Sequence, residues 1–392
     1  MIVAPGNMDE TIEQFAPLDP ELFDMLAKSR MIIICGPGGV GKTTSAAALG
    51  VVAARHFPKR VLVLTVDPAR RLATALGLGT IGNAEVPVEL AGAKGSLDIA
   101  MIDTKASWDD MVRRHAPDGV TRDRVLGNDL YKTLTSRFVH SHDYVVTERL
   151  YDARESGVYD LVVVDTPPSR SALSVLDAPR RMEQFFSSRL LKLLTAPTQS
   201  RLLSLASRPF FIVADRILGA AFLSDIAEFF TLFRTMEGPI VSRARRVGAL
   251  LSDPATSYVV VTSPEPVAMQ EAGYLVEELR RRGHRLDAVV TNRLVPSRLA
   301  TGAAERAEAL IEGNPLHDVE RASRDAGGAP LTTATRRALA AAEREIANIA
   351  NQHAAALAEI RRWGARVLMS ESRGGDITDV TSLLALGEAL RT

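Results

Sequence analysis

Short uninterrupted runs of Val, Ile and Leu recur along the chain, and a longer segment of helical composition follows most of them. Seven runs are predicted to be strands: Met31–Cys35, Val61–Val66, Leu97–Ile102, Leu161–Val164, Tyr258–Val261, Ala288–Thr291 and Val367–Met369. Because most of these runs do not alternate apolar with polar residues, helices are expected to cover both faces of the sheet. The pattern therefore predicts an α/β fold, a single domain over residues 1–392 with a mainly parallel, doubly wound sheet.

Two segments depart from this pattern. Residues 180–253 are helical in composition and hold eight of the chain's twelve phenylalanines, which predicts an inserted α-helical subdomain. Six of its residues form one apolar stripe at helical spacing: Met182, Phe185, Phe186, Leu190, Leu193 and Leu194. The stripe is either the core of this subdomain or a surface that receives an apolar partner helix. Residues 331–363 are rich in alanine and predict a long helix, capped by Thr332 or Thr333 and ended by Gly364.

Composition narrows the class of protein. Lys plus Arg equals Asp plus Glu at 47 each, so no net charge favours nucleic acid or anionic lipid, and no nucleic-acid partner is expected. The basic clusters Arg245–Arg246 and Arg280–Arg282 are interpreted as solvated helix surface. The single cysteine, Cys35, excludes a disulfide framework and is interpreted as a small buried hydrophobic residue.

The sequence predicts neither a secretion signal nor a membrane-spanning segment. The N-terminal segment is acidic where a secretion signal needs basic and then apolar residues. Charged residues also interrupt every apolar stretch before the roughly 18 residues needed to cross a bilayer. A cytoplasmic protein is expected, either free in solution or peripheral at a membrane.

The clearest chemical motif is GPGGVGKTT, which follows the strand that ends at Cys35. Four of its residues have the spacing of a phosphate-binding loop (P-loop): Gly36, Gly41, Lys42 and Thr43. Glycines let successive backbone N–H groups point at phosphate oxygens, and the N-terminus of the following helix adds its positive dipole end. Lys42 is expected to bridge the outer phosphates and the Thr43 hydroxyl to bind Mg²⁺. The other residues predicted to bind the nucleotide here are Gly38, Gly39, Val40 and Thr44. The motif predicts a Mg²⁺-dependent ATPase.

Together with this loop, five later segments resemble the arsenite-pump and tail-anchored-protein-targeting ATPases, which are related to MinD, ParA and nitrogenase reductase. The segments are VDPARRL at Val66–Leu72, VVVDTPPS at Val162–Ser169, VVVTSPEP at Val259–Pro266, TNR at Thr291–Arg293 and ESRG at Glu371–Gly374. Their order and spacing carry the resemblance over most of the chain. It implies a dimeric ATPase, whose cycle of ATP binding and hydrolysis opens and closes the helical subdomain on an apolar helix or at a membrane-protein partner.

The resemblance also implies roles for individual residues. Asp67 would orient the attacking water beside Lys42, and Asp165 would hold Mg²⁺ through water. The switch residues that sense the γ-phosphate would be Arg70, Arg71, Thr166, Pro167 and Pro168. Asn292 would pair with the adenine edge. The loop Glu371–Gly374, with Arg373, would close over the base.

The chain departs from this family at Pro37, where the family's signature lysine reaches across the dimer to the partner's nucleotide. Three explanations stay open: Arg70 or Arg71 supplies the charge, a related subunit supplies the lysine in a heterodimer rather than a homodimer, or the chain is a catalytically weak nucleotide sensor. A partition-type ATPase that positions other molecules is the alternative from another class. The single cysteine, Cys35, excludes a metalloid site, a zinc clamp or an iron–sulfur cluster built from several cysteines of the chain.

Overall fold

The computed structural model describes residues 17–66, 82–137, 142–188, 191, 220–312, 332–373, 377 and 379–392. Its described strands are β1 Met31–Cys35, β2 Arg60–Thr65, β3 Val86–Val88, β4 Ser96–Met101, β5 Leu161–Asp165, β6 Thr256–Thr262, β7 Leu286–Leu294 and β8 Arg366–Glu371. They form one sheet in the order β3-β4-β2-β5-β1-β6-β7-β8. Every pairing is parallel except that of β3 with β4. The predicted α/β fold class is confirmed, and β3 is a strand that the hydrophobic pattern did not predict.

The described helices alternate with these strands or extend from them. They are α1 Pro20–Lys28, α2 Lys42–His56, α3 Thr104–His115, α4 Gly119–Gly127, α5 Asp129–Arg137, α6 His142–Glu155, α7 Ser169–Ser187, α8 Ala220–Arg234, α9 Glu237–Leu251, α10 Pro266–Arg281, α11 Ser297–Ala300, α12 Ala303–Glu312, α13 Thr333–Arg361 and α14 Val380–Glu388. Thr332 caps α13 by accepting a hydrogen bond from the Thr335 backbone N–H, and Gly364 follows its end with φ 68°. None of the described helices combines the length and apolar content that crossing a bilayer requires.

Apolar cores lie on both faces of the sheet. Alternate residues of β1 point to opposite cores, so that Ile32 packs with α2 and α14 while Ile33 packs with α7 and α10. All five residues of β1 are buried, which is why its sequence has no polar position. Cys35 is among them, and burial raises the pKa of its thiol to about 12, so this residue stays a neutral thiol.

A third core joins helices from two separate parts of the chain. Residues of α3 to α6 pack there with residues of α7, α8 and α9. Its centre is aromatic, with Phe186 stacked on Phe233 at a centroid distance of 5.4 Å. The Phe-rich helices of residues 180–253 therefore share a core with residues 104–155, a region in which no helices were predicted from the sequence. Leu190, Leu193 and Leu194 of the predicted stripe lie outside the described residues.

Candidate nucleotide-binding site

The P-loop is pressed against the ends of two neighbouring strands. A Cβ at Gly36 would lie 2.1 Å from the carbonyl oxygen of Val261 on β6, so no side chain fits at this position. Gly41 has φ 97°, and a Cβ there would lie 2.4 Å from Nδ2 of Asn292 on β7. Since α2 begins directly after Gly41, the same close packing fixes where its N-terminus points.

Side chains hold three carbonyl groups of this loop. The Lys42 ammonium donates to the Pro37 carbonyl at 2.7 Å. From β7, the Asn292 amide donates to the Val40 carbonyl at 2.9 Å and the Arg293 guanidinium donates to the Gly39 carbonyl at 2.6 Å. With these three carbonyl groups engaged by side chains, the loop could offer its N–H groups to an anion.

A buried carboxylate lies beside the first turn of α2. Asp165 ends β5 next to β1 and is fully buried. Its Oδ2 accepts from the Thr43 hydroxyl at 2.6 Å and from the Thr65 hydroxyl at 2.9 Å. The next residue, Thr166, donates its hydroxyl to the Ile34 carbonyl at 2.7 Å. A hydroxyl and a carboxylate in contact are hard oxygen ligands, so this pair fits Mg²⁺ held directly by Thr43 and through water by Asp165.

A cavity of about 620 Å³ lies at the ends of β7 and β8, against α13. Its lining includes Leu294, Pro296, His353, Ser370, Glu371 and Arg373. Glu371 accepts from the Ser297 backbone N–H at 2.8 Å, and Arg373 donates to the Ala385 carbonyl at 2.8 Å. A bound base would meet apolar walls together with these few polar groups, which is the usual composition of a small-molecule site.

Two polar side chains of this cavity, His353 and Ser370, could contact a ligand. His353 accepts the Val295 backbone N–H on its Nδ1 at 3.0 Å, and burial lowers the pKa of its imidazole. The neutral ring therefore carries its proton on Nε2, as a donor. Ser370 is 5% exposed, and its hydroxyl has no hydrogen-bond partner in the part of the chain that the structure describes.

The structure brings together most of the predicted site but not all of it. Asp67, Arg70 and Arg71 lie outside the described residues, as does Gly374. Pro167 and Pro168 follow Thr166 and lead directly into α7. No role was predicted from the sequence for Thr65, Arg293, His353 or Ser370. Thr65 did carry a signal, because it is a polar residue at the carboxyl end of an apolar strand.

One basic cluster differs from its interpretation as solvated surface. The Arg282 side chain is 14% exposed, donates to Asp177 at 2.9 Å and also pairs with Glu278. Arg281 pairs with the same Glu278 at 2.7 Å. Arg282 is therefore a structural link between α10 and α7, whereas Arg245 is 70% exposed and pairs with Glu183 at 3.1 Å.

Comparison with known proteins identifies the class to which this site belongs. Residues 29–320 match the family model of anion-transporting ATPases. The chain belongs to this family. An uncharacterized protein of Streptomyces coelicolor is 30% identical over 305 residues, which cover 74% of this chain and 70% of that protein. An ATPase ASNA1 homolog of Trypanosoma cruzi is 26% identical over 300 residues, 71% of this chain and 78% of that protein. An ATPase get3 of Pyrenophora tritici-repentis is 25% identical over 285 residues, with the same two shares.

Membership of the anion-transporting ATPases confirms the resemblance and supports hydrolysis of ATP as the activity. The matched residues contain the P-loop, Asp165 and Asn292. They do not contain α13 and β8, so His353 and Glu371 lie outside the span that the family model describes. The phosphate side of the site is therefore the part that this chain shares with the family model, and most of the cavity lining lies beyond it.

Proposed function

We propose that this chain binds Mg²⁺-ATP on the P-loop and couples its hydrolysis, within a dimer, to a movement of the helices α3 to α9 that form the third core, called the helical layer below. The observation that supports it most strongly is the contact of Thr43 with the buried carboxylate of Asp165, 122 residues away in sequence. A hydroxyl on the first turn after a P-loop and a strand-end carboxylate are the two groups that Mg²⁺-nucleotide sites of this type need.

Each residue of the phosphate side has one task in this proposal. Lys42 would leave the Pro37 carbonyl, to which it now donates, and bridge the outer phosphates. Bound Mg²⁺ neutralises charge on the phosphate oxygens. Asp67 would orient the attacking water; this role rests on the resemblance, since the residue lies outside the described residues. Hydrolysis of this kind depends on positioning and charge stabilisation more than on a strong base.

The base would lie in the cavity beside β7 and β8. Asn292 contacts the P-loop, and Leu294, two residues later on the same strand, already lines that cavity. The phosphate and base ends of a nucleotide are thus served by one strand. Asn292 would offer its remaining amide proton and its oxygen to adenine, and Glu371 and Arg373 would border the base.

The segment Asp165–Pro168, called the switch segment below, would connect the nucleotide to the helical layer without an intervening loop. Asp165, Thr166, Pro167 and Pro168 are followed at once by α7, whose last turns carry Phe185 and Phe186. A γ-phosphate that binds this segment better in one position than in another would shift α7 by that difference in free energy. The moving end of α7 borders a cavity of about 310 Å³, lined chiefly by aromatic side chains.

This aromatic cavity is the proposed contact for an apolar helix or a membrane-protein partner. Met182 and Phe185 of the predicted stripe line it, while Phe186 is buried behind them in the third core. In this proposal the stripe would contribute both to the core and to the partner surface. Pro37 carries no donor toward a partner's nucleotide, so the proposal includes a related subunit that supplies a lysine, as the heterodimer hypothesis requires.

The decisive experiment is phosphate release by the purified chain, measured with Mg²⁺ and with EDTA. Lys42→Ala is expected to lower kcat/KM by at least about 100-fold, because a preorganised charge on the phosphates is lost. Lys28→Ala is the matched control, since this lysine is exposed on α1 and pairs with Asp24. Turnover that Lys42→Ala leaves unchanged would refute the proposal. Tight ATP binding without turnover, alone or with a related subunit, would favour the nucleotide-sensor hypothesis instead.

The dimer and the client need separate measurements. Sizing with and without Mg²⁺-ATP tests whether nucleotide drives association of two chains. Binding of an apolar helical peptide is expected to fall when Phe185→Ala shortens a wall of the aromatic cavity, and to persist in Phe23→Ala, which changes an exposed phenylalanine on α1. Equal loss in both variants, or none in either, would contradict the assignment of the cavity.

A further inference from the structure

Two consecutive residues of β7 reach the same loop. In a regular strand, neighbouring side chains point to opposite faces, so Asn292 and Arg293 could not both contact the P-loop. The pairing of β7 with β8 shifts register between Thr291 and Leu294, and Arg293 has φ 62°. This irregularity turns the second side chain to the side of the first, as bulges beside functional sites do.

The backbone of Arg293 is unfavourable for the residue that occupies it. Among the described residues it is the one non-glycine with a positive φ. Glycine adopts this left-handed conformation without the clash of a Cβ, and Asn tolerates it better than a long side chain does. The presence of arginine is therefore explained by its side chain and not by the turn.

We propose that Asn292 and Arg293 form a β7 clamp that positions the P-loop for phosphate, with Arg293 as a positioning residue for the ATPase site proposed above. The clamp binds the carbonyl groups of Gly39 and Val40 from β7. A peptide group that rotated would turn its oxygen toward the phosphates and remove an N–H donor. Holding the loop before the ligand arrives lowers the ordering cost of binding.

The charge of Arg293 adds to this geometry. The described residues include no carboxylate paired with it, and its guanidinium donates to the Gly39 carbonyl. Pro37, two residues before that glycine, contributes neither a charge nor a backbone donor. The clamp thus places a cation against a loop that has no second lysine.

Three substitutions separate the side chain from the backbone strain. Arg293→Gly removes both, Arg293→Asn removes the cation while tolerating the left-handed backbone, and Arg293→Lys keeps a positive charge with a less directional donor. The control is Arg344→Gln, which removes an exposed charge on α13. Dissociation constants are measured for ATP and for inorganic tripolyphosphate, which has no base. Hydrogen exchange of the loop amides and urea unfolding are measured on the nucleotide-free protein.

Arg293→Gly and Arg293→Asn are expected to weaken both ligands by about tenfold, and Arg293→Lys by about threefold, from the loss of a charged hydrogen bond. KM for ATP should rise with little change in kcat. In Arg293→Gly the loop amides should exchange faster than in the native protein. Its free energy of unfolding in urea should be unchanged or higher, because backbone strain is relieved. Unchanged tripolyphosphate affinity with unchanged loop exchange would overturn the clamp, as would a parallel loss of global stability. A native protein that binds no nucleotide, but whose loop still loosens in Arg293→Gly, would refute the proposed function and leave the clamp standing.

Discussion

Thr43 and Thr65 offer a comparison that separates metal binding from support of a buried charge. Both hydroxyls donate to the same oxygen, Oδ2 of Asp165, at 2.6 and 2.9 Å. Only Thr43 lies on the P-loop side, where it would also bind Mg²⁺. We therefore predict that Thr43→Val and Thr65→Val have the same effect on the nucleotide-free protein and different effects on nucleotide binding.

The magnitude follows from the burial of the carboxylate. Asp165 is fully buried, so a lost donor leaves one hydrogen bond fewer on a desolvated charge. A hydrogen bond to a charged group contributes about 1.5–3 kcal/mol, and valine preserves the shape of threonine. Each substitution should lower the free energy of unfolding by about 2 kcal/mol, measured by urea unfolding in EDTA.

ATP affinity measured with Mg²⁺ and with EDTA then distinguishes the two residues. Thr65→Val should keep the gain in affinity that Mg²⁺ gives, whereas Thr43→Val should lose about tenfold or more of it, on the scale of disturbed metal sites. Thr43→Ser restores the hydroxyl and should restore both properties. If Thr65→Val abolished the Mg²⁺ effect as completely as Thr43→Val, the assignment of Thr43 as the metal ligand would be wrong.

Three further outcomes are expected. Gly36→Ala should lower the free energy of unfolding by at least about 2 kcal/mol because its Cβ meets a strand carbonyl, while Gly38→Ala, with open space around it, should change stability little; urea unfolding compares them. Burial, and to a smaller extent the positive charge of Arg243, lowers the pKa of the His115 imidazole in the folded protein to about 4. The unfolded chain, with the ordinary histidine pKa of 6.5, therefore binds a proton more readily than the folded protein below that pH. Stability present above pH 6.5 should fall by about 2 kcal/mol toward pH 4.5, and His115→Gln should reduce that fall in unfolding curves at the two pH values. His353→Ala should weaken ATP about fivefold and leave inorganic tripolyphosphate unchanged, by calorimetry, because one donor to the base is lost.

The sequence pattern predicted every described strand of the sheet except the edge strand β3. A buried strand such as β1 must be apolar at every position, so its pattern is unmistakable. β3 has three residues with a proline at the centre and pairs antiparallel at the edge, where neither burial nor alternation is imposed. The helices of residues 104–155 were missed for a related reason: α4 buries only Val125 in the third core, too little for a periodic signal.

The candidate site divides in the same way. Lys42 and Asp165 belong to short motifs in which residue type and position after a strand predict the chemistry. Arg293 and His353 have no such marker, because their contacts depend on a bulge and on a helix that packs from elsewhere in the chain. A positive φ is normally found at glycine, so an arginine at position 293 does not indicate this backbone conformation in the sequence.

The proposed path from the nucleotide to the helical layer depends on α7, a helix that is stiff except at one position. This helix has 19 residues, so it extends about 28 Å from the switch segment. Pro179 lies inside it, where a missing N–H removes one helical hydrogen bond and favours a bend. Beyond that point lie Phe185 and Phe186, the first bordering the aromatic cavity and the second stacked in the third core. Under the proposed cycle, a small displacement at Thr166 therefore reaches the cavity as a change in the angle of the last two turns, and the stacking of Phe186 on Phe233 limits how far that angle can change.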